Sequence, residues 1–447
     1  MKILLISANT LTVPYPVYPI GLDYVAGAIG DRHTVQRADM LTMDRDGLAA
    51  IIIDFSPEII GISCRNIDNT DAGDSSYFLD DYKDLVTWLR QRSAAPIVCG
   101  GSGFTIMPER ILAELNADYG IIGEGERFPL LIDTLAAGRD PAEIPGVISK
   151  DRASAPPPPW PGRLVRRLPP NPQNQYYIQN GGMLNLQTKR GCSFRCIYCS
   201  YPHIEGGTHR LTDPGEVAET ALQLQEAGAK YLFFTDSAFN SDVQHSLDVA
   251  RALKKAGLSI PWGAFFAPVR VPDNYFAAMA QAGCKHVEFG TESLSDTVLR
   301  AFRKPFCAED VRIAHRQAVA ARIHVAHYLL FGGPQESAAT VAASLDGIEK
   351  LEKSVFFLFI GVRIYPGTSL YDMAVAQGKI DGRTDLLRPV FYQPDSIGLR
   401  DIEVIVKSRA SGHNNWVTGS GDQSITDTTL NLYRHGFAGP LWEFLAG

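Results

Sequence analysis

The sequence is poor in the features that mark secreted, membrane-spanning or nucleic-acid-binding chains. Only seven of its 447 residues are cysteine, and an odd count does not build a framework of paired disulfides. Met1-Lys2 runs straight into a strand-like ILLIS rather than a basic-then-apolar leader, and with the unpaired cysteines this predicts a reducing, cytoplasmic setting. Apolar runs such as Ile51-Ile52-Ile53 and Tyr328-Leu329-Leu330-Phe331 are strand-sized, far short of the ~20 residues that span a bilayer, so no membrane partner is expected. Charge is nearly balanced: 42 Lys+Arg against 49 Asp+Glu give −7, which provides no global field for nucleic acid. The 45% hydrophobic and 20% charged residues are ordinary for a folded protein, and the length allows two or three domains.

What is present is an α/β pattern in two series. From Lys2 to about Gly146, short apolar runs alternate with helical stretches, the signature of a parallel sheet covered on both faces. Residues 1–150 therefore read as a doubly wound, Rossmann-like domain. Its ligand is expected at the carboxyl ends of the strands, in loops 7–20, 63–75, 99–105 and 123–126. Residues 151–180, with Pro156–Pro159, Pro161, Pro169, Pro170 and Pro172, read as an extended connector. Six further β/α repeats over 181–380 predict a partial TIM-like barrel, whose active site belongs at the C-terminal strand ends. Residues 381–447 are left as a small C-terminal region without assigned chemistry.

Three of the seven cysteines fall within eight residues. Cys192-Ser-Phe-Arg-Cys196-Ile-Tyr-Cys199 is a Cx3Cx2C loop directly after the first barrel strand. Three thiolates can hold three corners of an iron–sulfur cube and leave one iron open to a substrate, whereas a closed electron-transfer cluster takes four. Zinc is the competing reading, but it calls for paired CxxC or histidine partners, and His203 and His209 have no companion cysteine pair. Cys284 and Cys307 read as incidental thiols, and His324 and His327 as core or lumen histidines. Arg190, beside the loop, is either a surface charge or a partner for an anion. Arg270, Arg363, Tyr365 and the Asp-rich loop 68–74 are candidates for the barrel mouth.

This cysteine motif, with Tyr198 in its aromatic place, resembles the radical S-adenosylmethionine (SAM) superfamily. The resemblance extends through Thr235–Asn240, Glu288–Ser293, Leu330–Ser337 and Ile364–Thr368. Behind a doubly wound domain, these blocks are similar to the cobalamin-binding branch, the class B methyltransferase or BchE-like enzymes, over most of residues 1–380. The resemblance implies that Cys192, Cys196 and Cys199 hold a [4Fe–4S] cluster that binds SAM and cleaves it to a 5′-deoxyadenosyl radical. It places Tyr198 near the adenine, and Asp236, Asn240, Glu292 and Ser293 near the amino acid or ribose of SAM. It gives Gly332 and Gly333 the role of admitting the nucleoside.

The N-terminal domain resembles B12-binding modules in the order of its parts. Ser63, Gly100, Gly101, Gly123 and Glu124 are its candidate cobalamin contacts, glycines after a strand permitting close approach of a macrocycle. The Asp-x-His-x-x-Gly motif that supplies a lower axial histidine is absent. The implied activity is methylation of an unactivated carbon of a small-molecule substrate, with electrons from a donor such as flavodoxin or ferredoxin. A radical rearrangement or ring contraction without methyl transfer, and a cluster- or B12-binding sensor, stay open from sequence.

Overall fold

The computed structural model describes residues 1–446 apart from 13–14, 74, 155, 169–171 and 420–422, so the connector's Pro169 and Pro170 and the loop's Asp74 lie outside the described residues. Strands β1 (Lys2–Ser7), β2 (Thr34–Asp39), β3 (Ile59–Ser63), β4 (Ile97–Gly100), β5 (Tyr119–Ile121) and β6 (Val147–Ser149) form one sheet in the order β2-β1-β3-β4-β5-β6. The first five are parallel and β6 closes the edge antiparallel to β5. This is a doubly wound order whose direction reverses at β1/β3, and that switch point is where such sheets bind ligands. Buried Ile3, Leu4, Leu5 and Ile6 show β1 covered on both faces, which is why the strand is apolar rather than alternating.

Strand β7 (Met183–Leu186) opens the second sheet. A two-residue ladder, β8 (Lys189–Arg190) against β9 (Arg210–Leu211), then brackets the cysteine loop. Strands β10 (Tyr231–Phe234), β11 (Trp262–Phe266), β12 (Cys284–Glu292), β13 (His324–Phe331), β14 (Ser354–Ile360) and β15 (Trp416–Thr418) complete a seven-stranded parallel sheet in the order β15-β14-β13-β12-β11-β10-β7. The helices between them start where the sequence supplies caps. Asp213 receives the amides of Gly215 and Glu216, Asp242 that of His245, and Ser337 that of Thr340.

One expectation needs correction. The connector is not wholly extended: it forms the helix Pro172–Gln179, since proline is tolerated in a first turn, and Tyr177 anchors it by donating a 2.5 Å hydrogen bond to Asp39. Residues 381–447, to which the sequence assigned no chemistry, contribute to the second sheet. Part of that segment supplies β15, and the turn Trp442–Leu445 packs beneath β13 and β14 with Ala326, Val355 and Val417. Both features escaped because they depend on tertiary contact: a three-residue edge strand has no periodicity to read.

The two sheets are tied by buried ion pairs. Arg363 Nε lies 2.9 Å from Asp68, and Arg190 lies 2.7 Å from both Glu124 and Glu126. The carboxyl ends of the N-terminal strands therefore face the cysteine loop.

Candidate active site

The cysteine loop is held open by a glycine and by hydrogen bonds from outside it. Gly191 has φ +86, and a Cβ there would lie 2.1 Å from the Thr208 carbonyl oxygen, so only glycine starts this loop without displacing its return strand. The amides of Cys192, Ile197 and Leu370 bond to Gly206, Phe302 and Ile197 carbonyls at 3.1, 3.2 and 2.8 Å. All three cysteines are free thiols; Cys192 is buried, and Cys196 and Cys199 are half-buried. Burial pushes the Cys199 thiol up to about 12, against an opposing hydrogen bond from the Tyr201 amide, with Cys196 and Cys192 adding repulsion. Burial likewise raises Cys196, opposed chiefly by the Lys304 ammonium.

Lys304 is the residue the sequence did not announce, because Arg303-Lys304-Pro305 reads as surface charge. Its ammonium is 2.9 Å from Glu292 and lies over the Tyr198 ring at 5.4 Å. Glu292 itself has φ +61, at the point where the β12–β13 register shifts, so a left-handed turn aims its carboxylate at the cysteine loop. Tyr198 packs edge-on to Phe302 at 5.2 Å. Tyr198, Glu292, Lys304 and the thiols thus form one cluster.

Other expected SAM contacts are used differently. Both Asp236 oxygens are taken, by the amide and hydroxyl of Thr188 and by Lys189 at 2.7 Å, and the group is 1% exposed. Its observed work is to fix the chain entering the cysteine loop. Asn240 spends its amide on both backbone groups of Ala267, and Ser293 bonds the Ser344 hydroxyl and the Ser295 amide. Gly332 has φ +97 and packs against Leu399, while a Cβ on Gly333 would lie 2.1 Å from the Phe302 ring. Gly333 therefore lets Phe302 reach the cysteine loop, and neither glycine is seen opening space for a nucleoside. The histidine reading holds for His327, which is buried between Phe289 and Phe356 and bonds Thr291 and His315, but not for His324, which is exposed at the start of β13.

On the N-terminal side a cavity of about 1700 Å³, counted to its open mouth, lies over the β1/β3 switch point. Ser63, Gly100, Gly101, Gly123 and Glu124 all line it, and Arg190, Thr235 and Phe265 reach it from the barrel. Glu124 is not a free contact: Arg190 and Arg210 hold it at 2.7 Å and the Trp160 amide at 2.5 Å, and together they keep its carboxyl below the ordinary range despite burial, which acts the other way. Arg190 is accordingly a bridge between the two sheets rather than a surface charge.

The residues fit the groups the resemblance implies. Three thiols near enough to repel one another, with no fourth ligand converging, suit an open cluster. At Gly21 a Cβ would meet nothing within 4 Å, and at Gly100 and Gly123 nothing closer than 3.6 Å, so that part of the cavity floor is bare backbone onto which a large flat ligand can settle. No histidine is among the described residues lining the cavity, in keeping with the missing axial motif.

Comparison with known proteins agrees with this geometry. Residues 6–131 match the B12 binding domain, and residues 186–347 the radical SAM superfamily. The chain is 29% identical over 393 residues to an uncharacterized methyltransferase of Pyrococcus horikoshii, covering 84% of this chain and 83% of that protein. It is 24% identical over 436 residues to tryptophan 2-C-methyltransferase of Streptomyces laurentii, covering 78% and 71%. Its fold follows that of the radical SAM methyltransferase TsrM from Kitasatospora setae, solved with cobalamin and a [4Fe–4S] cluster, with TM-score 0.87 at 20% identity over 100% of this chain and 97% of that one. OxsB, a cobalamin-dependent SAM radical enzyme, superposes with TM-score 0.70 at 16% identity over 92% and 66%. The chain thus carries a B12-binding domain that leads into a radical SAM domain.

Proposed function

We propose that this protein is a cobalamin-dependent radical SAM methyltransferase that places a methyl group from SAM on a carbon of a small-molecule substrate. The observation that carries the reading is spatial: an open three-cysteine loop and a backbone-floored, B12-type cavity face each other across Arg190. When bound, the cluster supplies the electron for cleaving SAM, and the cobalamin carries the methyl group. The protein's own part is binding and positioning. Cys192, Cys196 and Cys199 hold the cluster, and Gly191 and the Phe302 carbonyl fix the shape of their loop. Lys304 supplies positive charge beside the thiolates, and Glu292 neutralises it and presents a carboxylate to the SAM amino group. Tyr198 walls the adenine. Ser63, Gly100, Gly101 and Gly123 support the cobalamin, and Glu124 acts through Arg190 and Arg210.

Two further parts of the proposal concern the cell. Electrons reach the cluster from a reduced flavodoxin or ferredoxin, and the protein works in the cytoplasm. The free thiols support that setting, and among the described residues no helix is long and apolar enough to cross a membrane.

Anaerobic reconstitution with iron, sulfide and hydroxocobalamin tests the reading. The expected product shows cluster absorbance together with about one extractable cobalamin per chain. Uptake of the cluster without cobalamin would overturn the methyl-transfer reading and leave another radical SAM reaction.

A further inference from the structure

The cysteine loop has an outer edge as well as the inner one that meets the cavity. Ser193 and Arg195 are exposed there, and Cys196 beside them is half-buried. Three chain segments join on this edge, because the Ile197 amide donates to the Phe302 carbonyl at 3.2 Å and the Leu370 amide to the Ile197 carbonyl at 2.8 Å. The joined surface carries Arg195, Arg300 and Arg303, all exposed, and none of them lines the cavity. Among the described residues none of the three has a carboxylate partner; Arg303 donates only to the neutral Ser369 hydroxyl, at 3.3 Å. Asp296, on the same helix as Arg300, is spent on the Ala308 amide at 2.8 Å. Exposed Asp372, in the helix Ser369–Ala376, opposes one of the three charges, and the edge stays positive.

That surplus stands out in a chain of net charge −7, where carboxylates are plentiful. Exposed Arg32, Arg163, Arg251 and Arg409 each pair with one, at 2.5 to 2.9 Å. Arg303 is also kept at a backbone cost. It has φ +56 just past the helix Asp296–Ala301, where its own amide and that of Lys304 bond the Arg300 and Leu299 carbonyls at 3.0 and 2.9 Å. A left-handed helix stop of this kind is the usual place of glycine, so the arginine holds strain that glycine would release. The three cations do no work within the fold that their contacts reveal.

We propose that this edge is the docking surface for a small acidic electron-carrier protein, whose carboxylates meet Arg195, Arg300 and Arg303 beside the Cys196 end of the loop. Complementary charge speeds encounter and sets orientation more than it adds affinity, which suits a partner that binds, delivers and leaves. In the encounter the carrier is oxidised by one electron, the cluster is reduced by one, and no atom changes hands. The inference rests on the cluster reading given under the proposed function and names the partner surface of that site.

The test follows association of an acidic flavodoxin, used as the probe, with the anaerobically reconstituted holoenzyme by biolayer interferometry at about 50 mM and about 500 mM NaCl. At the lower salt the association rate is expected to fall at least about ten-fold in Arg195→Glu/Arg303→Glu, and the difference from wild type is expected to vanish at the higher salt. Arg322→Glu is the control, since Arg322 is exposed before the N-terminal end of β13, at the opposite end of the strands, and it should change the rate by less than about two-fold. Arg303→Gly should slow association about three-fold while raising the urea midpoint, because charge and strain go together. A double variant that associates as fast as wild type, an equal loss in Arg322→Glu, no binding of flavodoxin to wild type, or tighter binding of a single-stranded RNA oligonucleotide than of flavodoxin would overturn the proposal. If the double variant does not take up its cluster, Arg303→Gly and the salt dependence of wild type still decide it. Cluster absorbance and cobalamin content of the same samples report separately on the methyl-transfer reading: a holoenzyme carrying both groups whose association with flavodoxin ignores Arg195 and Arg303 sinks the docking surface alone.

Discussion

The two sheets present opposite surfaces to the cavity they share. The N-terminal strand ends offer mostly backbone, with Gly100, Gly101 and Gly123 after β4 and β5. The barrel strand ends offer side chains: three thiols, the Lys304–Glu292 pair and a row of aromatic rings. One side is shaped to let a large rigid ligand come close, and the other to coordinate and orient. The contrast explains why Arg190 is buried between them. A positive charge at that boundary is shared by Glu124 and Glu126 of one sheet while belonging to the chain that enters the cysteine loop of the other.

Substitutions can break this division of labour separately on each side. Cys196→Ala should abolish the iron–sulfur absorbance and lower SAM turnover by more than the about 10–100-fold that loss of an outer-shell partner produces, with cobalamin binding intact. Gly100→Val acts on the other side. Its methyl groups would point into the cavity, so cobalamin affinity should fall about ten-fold or more, as overpacking of 1–3 kcal/mol implies, while the cluster spectrum is unchanged.

Arg190→Ala attacks the boundary. Removing one partner of a buried pair leaves Glu124 and Glu126 short of a cation, and about 3–5 kcal/mol of stability should go, read as a lower urea midpoint and faster proteolysis within 151–180.

A pH dependence is expected from the barrel interior. Glu288 has a folded-state value of about 7 against 4.5 for an ordinary glutamate. A raised value in the folded state favours folding at low pH, and that contribution is lost as pH rises from about 4.5 through 7. Glu288→Gln should therefore remove roughly 3 kcal/mol of the decline in stability between pH 5 and pH 8, measured by urea unfolding at both.

The cysteine loop, the two α/β series with their parallel sheets and most helices were legible because they follow from local spacing and from periodicity. The side-chain partners were not. Asp236, Asn240 and Ser293 stand at the expected strand ends, yet each is consumed by neighbours distant in sequence: Thr188 and Lys189, Ala267, and Ser344. Lys304 and Glu288 were passed over for the converse reason. One looks like a surface lysine and the other like part of a strand until the fold buries them beside Glu292 and Trp442. Burial and pairing across long loops leave no periodic trace in sequence.

Cluster, SAM and cobalamin are proposed to work in one cavity between the two sheets. This is tested most directly by a single-turnover assay on the anaerobically reconstituted protein, comparing S-adenosylhomocysteine formed with and without bound cobalamin. S-adenosylhomocysteine is expected in proportion to the cobalamin content, with none formed in its absence. Formation of S-adenosylhomocysteine independent of cobalamin, or its absence from a protein carrying both groups, would contradict it.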